Sequence, residues 1–125
     1  VNNKDIGGAG EAAAATYIEN LGYKVIDTNV RPFSDKRRGE IDIVAWHGDV
    51  LCIIEVKTRV SHVFDATEAI TIGKRRQLTK LAKAYISKYR LDSTECRFDV
   101  ICVYNRAGQS EPYIELRAGA FDPCH

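Results

Sequence analysis

Apolar and polar positions change period several times along this chain, and each change marks an element. Residues 9–21, AGEAAAATYIENL, place Ala14, Tyr17, Ile18 and Leu21 at the i, i+3, i+4, i+7 spacing of one helix face. Gly22 follows where helices commonly end. YKVIDTNV (23–30) predicts a first strand. RPFSDKRRG (31–39) combines a proline, a glycine and four basic residues and reads as an exposed loop. EIDIVAW (40–46) and LCIIEVKTR (51–59) are rich in β-branched residues and predict two strands. SHVFDATEAITI (61–72) has no single period, although Asp65 and Glu68 have the spacing of a capping box. GKRRQLTKLAKAYISKYR (73–90) is amphipathic, with Leu78, Leu81, Ala82, Tyr85, Ile86 and Tyr89 on one side. RFDVICVY (97–104) and, after a turn, YIELR (113–117) predict two more strands. The order α-β-β-β-α-β-β is that of a mixed α/β domain. The length, 125 residues, suits one domain over residues 1–125.

The second and third strands carry charge inside apolar runs: GEIDIV, then IIEVK. Gly48-Asp49 is a two-residue hairpin signal. Counting outward from it, His47 faces Val50, Trp46 faces Leu51, Asp42 faces Glu55 and Glu40 faces Lys57. Opposed residues project from one side of a sheet, so Glu40, Asp42, Glu55 and Lys57 are expected on one face. A one-residue slip would place Asp42 and Glu55 on opposite faces. Two carboxylates about 4 Å apart repel by roughly 4 kcal/mol at an effective dielectric of 20. Protonation of one acid, a neutralising cation or splaying into water relieves the pair. A divalent cation such as Mg²⁺, which prefers oxygen ligands, does this better than Lys57 alone. The plainer reading is a cross-strand salt-bridge cluster on a solvated face. Glu11, in the first turn of the first helix, either stabilises the helix dipole or points at the same ion.

Composition and charge narrow the function classes. The chain is 45% hydrophobic and 28% charged, with a net charge of +1. No apolar run approaches the ~18 residues of a membrane span, and no signal-peptide pattern opens the sequence. Of the cysteines, Cys52, Cys96, Cys102 and Cys124, none forms a C-x-x-C pair. Cys52 and Cys102 lie in apolar runs as small hydrophobes, so a reducing, cytoplasmic setting is expected and no membrane partner. From Ala69 to Leu91 there is no acidic residue, while Lys74, Arg75, Arg76, Lys80, Lys83, Lys88 and Arg90 fall in that window. Lys36, Arg37 and Arg38 form a second basic cluster. This asymmetry suits a polyanion or a plain solvated helix face. Trp46, Tyr85, Tyr89 and Tyr104 sit at core-facing periods. His47 and His62 have no spaced partner and are expected to be exposed bystanders.

The whole pattern resembles the YraN-like family of uncharacterised bacterial proteins, from about Gly7 to Phe121. The matching segments are GxxGExxAxxYIxxxGY (7–23), Asn29-x-Arg31, GEIDIV (39–44), IIEVKTR (53–59), the basic helix from Lys74, RFDV (97–100) and Ala120-Phe121. That family is assigned to the restriction-endonuclease-like, PD-(D/E)xK superfamily and is similar to Holliday-junction resolvases. The sequence departs from the superfamily pattern at Ile41, where the motif name has proline, and from the family at Asp65, where glycine is expected.

The resemblance implies a restriction-endonuclease-like mixed sheet flanked by helices and a metal-dependent nuclease acting on DNA, branched or structured DNA included. Asp42 and Glu55 match the acidic ligands of Mg²⁺ or Mn²⁺, with the main-chain carbonyl of Val56 beside them. Lys57 matches the lysine that orients or activates the attacking water. Glu11 matches the first-helix glutamate of resolvase-like members, which binds the ion or its water. Lys74, Arg75, Arg76 and Gln77 at the start of the basic helix, Arg59, and Lys36, Arg37 and Arg38 in the loop are expected to meet the nucleic acid. Glu40 is expected at the rim, paired with Arg38 or Lys57. An enzyme that resolves junctions needs two sites, so a homodimer is also an expectation. Two other readings stay open: a nucleic-acid-binding module of the same fold without turnover, and an interaction domain whose basic helix meets an acidic protein.

Overall fold

The computed structural model describes residues 3–32, 39–59, 70–105 and 108–123. The elements are α1 (Asn3–Asn20), β1 (Lys24–Val30), β2 (Ile41–His47), β3 (Val50–Arg59), α2 (Ile72–Lys88), β4 (Glu95–Tyr104) and β5 (Tyr113–Phe121). This is the order and the mixed α/β class expected from the sequence. Helix α1 begins six residues before the predicted start at Ala9, and β5 runs four residues past Arg117. The loop residues Lys36, Arg37 and Arg38, the Asp65/Glu68 capping box, His62 and Cys124 lie outside the described residues.

The strands form one sheet in the order β1-β2-β3-β4-β5. The β3–β4 pair is parallel and the other three are antiparallel. A parallel pair needs a long crossover, and α2 lies on it. Helices cover both faces. Ala14 and Ile18 of α1 pack on Ile43, Ala45, Cys52, Ile54, Ile101 and Val103. Leu78, Leu81, Ala82 and Tyr85 of α2 pack on Val44, Leu51, Ile53 and Phe98. With both faces covered, the middle strands read as nearly continuous apolar runs, without the alternation of a half-wet sheet. Cys52, Cys102, Tyr85 and Tyr104 are buried as expected and Trp46 packs against the α2-side core. Tyr89 departs from its predicted core position. It is the C-cap residue of α2, where the helical period ends, and is 48% exposed.

The turn between β2 and β3 is the two-residue one. Gly48 takes φ 61° at its first central position, as a type II′ hairpin requires, and pairing starts at His47↔Val50 and Trp46↔Leu51.

One buried charge was not anticipated. Asp99, 0% exposed, lies in the α1-side layer of β4. Arg97 grips it through two hydrogen bonds, of 2.8 and 3.0 Å, and Tyr23 Oη and the Gly119 N–H donate to it as well. Gly119 lies where the β4–β5 register shifts, so the carboxylate fills a gap in the ladder. Arg97 also donates to Tyr23 Oη, and the Tyr23 ring stacks on His47 at 4.3 Å. Removing Arg97 strands a fully buried carboxylate. Arg97→Ala is therefore expected to cost about 3 kcal/mol or more in urea unfolding, far above the few tenths expected for exposed Arg90→Ala. Equal midpoints for the two variants would contradict this account of the β4 centre.

Candidate functional site

The expected strand register holds for the five pairs from His47↔Val50 to Ile43↔Ile54 and ends there, one step before Asp42 would meet Glu55. Where the ladder ends, the Asp42 carboxylate takes over. Its Oδ2 accepts the main-chain N–H of Val56 at 2.8 Å, bridging β2 to β3 in place of a backbone carbonyl. Asp42 thus lies in the mouth between the two strands, 8% exposed. Glu55 is 6% exposed and shares the side of β3 that carries Leu51 and Ile53 against α2.

Helix α1 brings Glu11 to the same place. Gly10 makes that approach feasible, because a Cβ there would collide with Thr58 Oγ1 on β3. Glu11, Glu40 and Asp42 each offer a carboxylate oxygen within 4.8 Å of the others. The four acids read from the sequence therefore fall into two linked sets. Glu11, Glu40 and Asp42 form one. Glu55, with Lys57 and Lys74, forms the other: the two Nζ atoms stand 3.6 and 3.7 Å from the same oxygen, Oε1. The second oxygen of Glu55, Oε2, is buried with no hydrogen-bond partner among the described residues. Desolvation and the nearby Asp42 charge push the Glu55 carboxyl up to about 7, against the pull of Lys74 and Lys57. Burial also raises Asp42, although the Val56 N–H and Lys74 oppose it. Burial and then the charges of Asp42 and Glu40 raise Glu11.

Two residues have different places from those the sequence suggested. Glu40 does not pair with Lys57, whose ion-pair partner is Glu55; its partner is Arg31, at 3.3 Å, and Arg38 lies outside the described residues. Its carboxylate turns toward Asp42 and Glu11 as well as toward the rim. The two-residue spacing from Asp42 was the available signal. Lys74, expected to meet the nucleic acid, reaches the Glu55 carboxylate at 3.7 Å, a pairing the sequence did not suggest. The three basic residues at the start of α2 diverge. Arg75 donates to the Ile70 carbonyl at 3.2 Å and lies over the Phe121 ring, while Arg76 is exposed. Gln77 lies against Gly39, beside Glu40. Arg59 ends β3, donating to the Thr58 carbonyl.

Residues 10–103 match the uncharacterised protein family UPF0102. A UPF0102 protein of Syntrophotalea carbinolica is 41% identical over 119 residues, which cover 94% of this chain and 91% of the relative. One from Geobacter metallireducens is 41% identical over 123 residues, covering 98% and 96%. A third, from Chlorobium chlorochromatii, is 40% identical over 100 residues, covering 79% and 74%. The chain belongs to the UPF0102 family, and the family resemblance read from its motifs holds.

The sign of the pH dependence follows from Glu55. A carboxyl whose folded value lies above its ordinary 4.5 binds its proton more tightly in the native state. It contributes stability at low pH that is lost as pH rises through about 7. Asp42 and Glu11 act in the same direction. In EDTA, Glu55→Gln is expected to be more stable than wild type by about 2 kcal/mol at about pH 8, and the difference should vanish near pH 4. Urea titrations across that range measure it. A variant less stable than wild type at pH 8 would contradict the assignment.

Proposed function

We propose that this UPF0102 protein is a divalent-cation-dependent nuclease that hydrolyses phosphodiester bonds of DNA, with branched or otherwise structured DNA as its substrate. The observation that carries the reading is the Glu55 oxygen Oε2, buried next to a second buried acid and without a hydrogen-bond partner among the described residues. Such an atom costs stability unless something takes its lone pairs. The surrounding donors suit a hard cation: the carboxylates of Asp42, Glu55 and Glu11, the carbonyl of Val56 and, from the rim, Glu40 are all oxygens. Mg²⁺ or Mn²⁺ bound there supplies charge that polarises a phosphoryl oxygen and lowers the pKa of water. A mixed sheet with helices on both faces is consistent with the restriction-endonuclease-like fold.

The remaining work falls to side chains of this chain. Asp42 is held in place by the Val56 N–H, so its free oxygen is oriented before a ligand arrives. Lys57 projects from the same side of β3 as Glu55 and holds the attacking water in line with the leaving oxygen, offsetting developing charge. Arg76, Lys80 and Lys83 line the exposed side of α2, and they supply the phosphate contacts together with Arg59 at the end of β3. Contacts of this kind position a duplex and carry little sequence information, which supports recognition of shape. In this reading the basic residues Lys36, Arg37 and Arg38 add to the phosphate contacts. Cutting both sides of a junction takes two such centres, so the reading expects a homodimer. The free thiols of Cys52, Cys96 and Cys102 suit a reducing cytoplasm, and among the described residues no helix is long and apolar enough to cross a membrane.

Two measurements test the proposal. Mn²⁺ at saturating concentration is expected to raise the melting midpoint of the wild type, because it binds only the native state, and the rise should disappear in Asp42→Ala. Incubated with Mn²⁺ and a panel of branched, single-stranded and duplex DNA, the wild type should cut at least the branched form. Lys57→Ala should cut it about a hundredfold more slowly or worse. Cleavage unaffected by Lys57→Ala would sink the mechanism. Binding without cleavage would transfer the reading to a non-catalytic DNA-binding module.

A further inference from the structure

The centre contains a second lysine that the strand motif does not supply. Lys74 comes from the first turn of α2 and its position there is fixed. Thr71 caps the helix, with its Oγ1 accepting the Lys74 N–H at 3.1 Å. From that anchor the Lys74 ammonium reaches Glu55 Oε1 at 3.7 Å, almost the distance of Lys57, at 3.6 Å. Its side chain is 29% exposed, so the head group borders both the buried acids and solvent. Its neighbours do not share this direction, since Arg75 is tied to Ile70 and Phe121, and Arg76 faces outward.

Charge around the centre shows what a second lysine is for. Among the described residues, Glu11, Glu40, Asp42 and Glu55 carry four formal negative charges, and Lys57, Lys74 and Arg31 carry three positive ones. A divalent cation takes the formal balance from −1 to +1, and a phosphodiester returns it to zero. Once the cation is in place, one lysine on Glu55 is surplus and is repelled by the ion. Lys57 is fixed on the strand beside Glu55. Lys74, the more exposed of the two at 29% against 22%, stands on the helix that carries the exposed Arg76, Lys80 and Lys83.

We propose that Lys74 is an exchangeable partner of the centre: it pairs with Glu55 while no cation is bound, and contacts the scissile phosphate once a cation has taken Glu55. This rests on the nuclease reading above and assigns a specific residue to substrate capture. Lys74 thereby couples two binding events, so that the DNA contact it makes exists only when the ion is present.

Calorimetric titration with Mn²⁺ at about pH 8.5 and binding of a fluorescent four-way DNA junction with and without Ca²⁺ test the coupling together. Removing a positive charge beside the ion should tighten Mn²⁺ binding about tenfold in Lys74→Ala. Lys74→Gln, which keeps most of the aliphatic stem, should behave the same way and guards against a folding effect. Both variants should bind the junction as well as wild type in EDTA and about tenfold more weakly in Ca²⁺. Arg76→Ala should lose the same factor in both buffers. Weaker or unchanged Mn²⁺ binding in both Lys74 variants, or equal loss of junction binding with and without Ca²⁺, would overturn the proposal and leave the nuclease reading intact. If the wild type binds neither Mn²⁺ nor Ca²⁺, both fall.

Discussion

The candidate site depends on β2 and β3 parting one residue before their two acids would meet. Up to Ile43↔Ile54 the strands share main-chain hydrogen bonds. Beyond that pair, the Val56 N–H turns to the Asp42 carboxylate. A side chain so used cannot swing into solvent without leaving a partly buried amide unpaired, which costs of the order of 1–3 kcal/mol. The fold therefore keeps a carboxylate in the interior, beside Glu55, although desolvation and mutual repulsion oppose both. The helix α1 leans on β3 at Gly10 and delivers Glu11, and α2 closes the opposite side and delivers Lys74.

The same chain contains a buried acid that is fully provided for. Asp99 fills a gap in the β4–β5 ladder as Asp42 does between β2 and β3, and both accept a main-chain N–H. Asp99 also has the bidentate grip of Arg97 and the hydroxyl of Tyr23. Glu55 has two lysines at ion-pair distance on one oxygen and, among the described residues, no hydrogen-bond partner on the other. At neighbouring positions of the β3–β4 pair, on opposite faces of the sheet, one buried carboxylate is fully satisfied and the other keeps an oxygen without a hydrogen-bond partner among the described residues. That contrast argues for a bound cation more strongly than the number of acids does, since acidic clusters are common without ions.

Much of this was legible in the sequence, for identifiable reasons. The helices and strands follow from hydrophobic period, and the hairpin register follows from Gly48-Asp49, whose turn admits one alignment. That register brings Asp42 and Glu55 to the same end of the hairpin. It does not show that pairing stops at Ile43, where the Val56 N–H turns to the Asp42 side chain in place of a backbone carbonyl. The Glu40–Lys57 pair expected from the register does not form, because Lys57 reaches Glu55 and Glu40 has Arg31 at 3.3 Å. Lys74 was grouped with Arg75 and Arg76 because adjacent basic residues look equivalent in a string, whereas successive residues on a helix point about 100° apart. Asp99 was read as an ordinary strand position, with only the nearby Arg97 as a hint of its partner. Tyr89 was placed in the core by a period that the helix end interrupts.

The central claim is that the mouth between β2 and β3 is built around a divalent cation. Crystals grown with Mn²⁺ and measured above and below the manganese absorption edge test it most directly. The account predicts an anomalous peak within coordination distance of an Asp42 carboxylate oxygen and Glu55 Oε2, with Lys74 drawn away from Glu55. Ordered density for both side chains with no anomalous peak between them, at a Mn²⁺ concentration that saturates ordinary carboxylate sites, would contradict it.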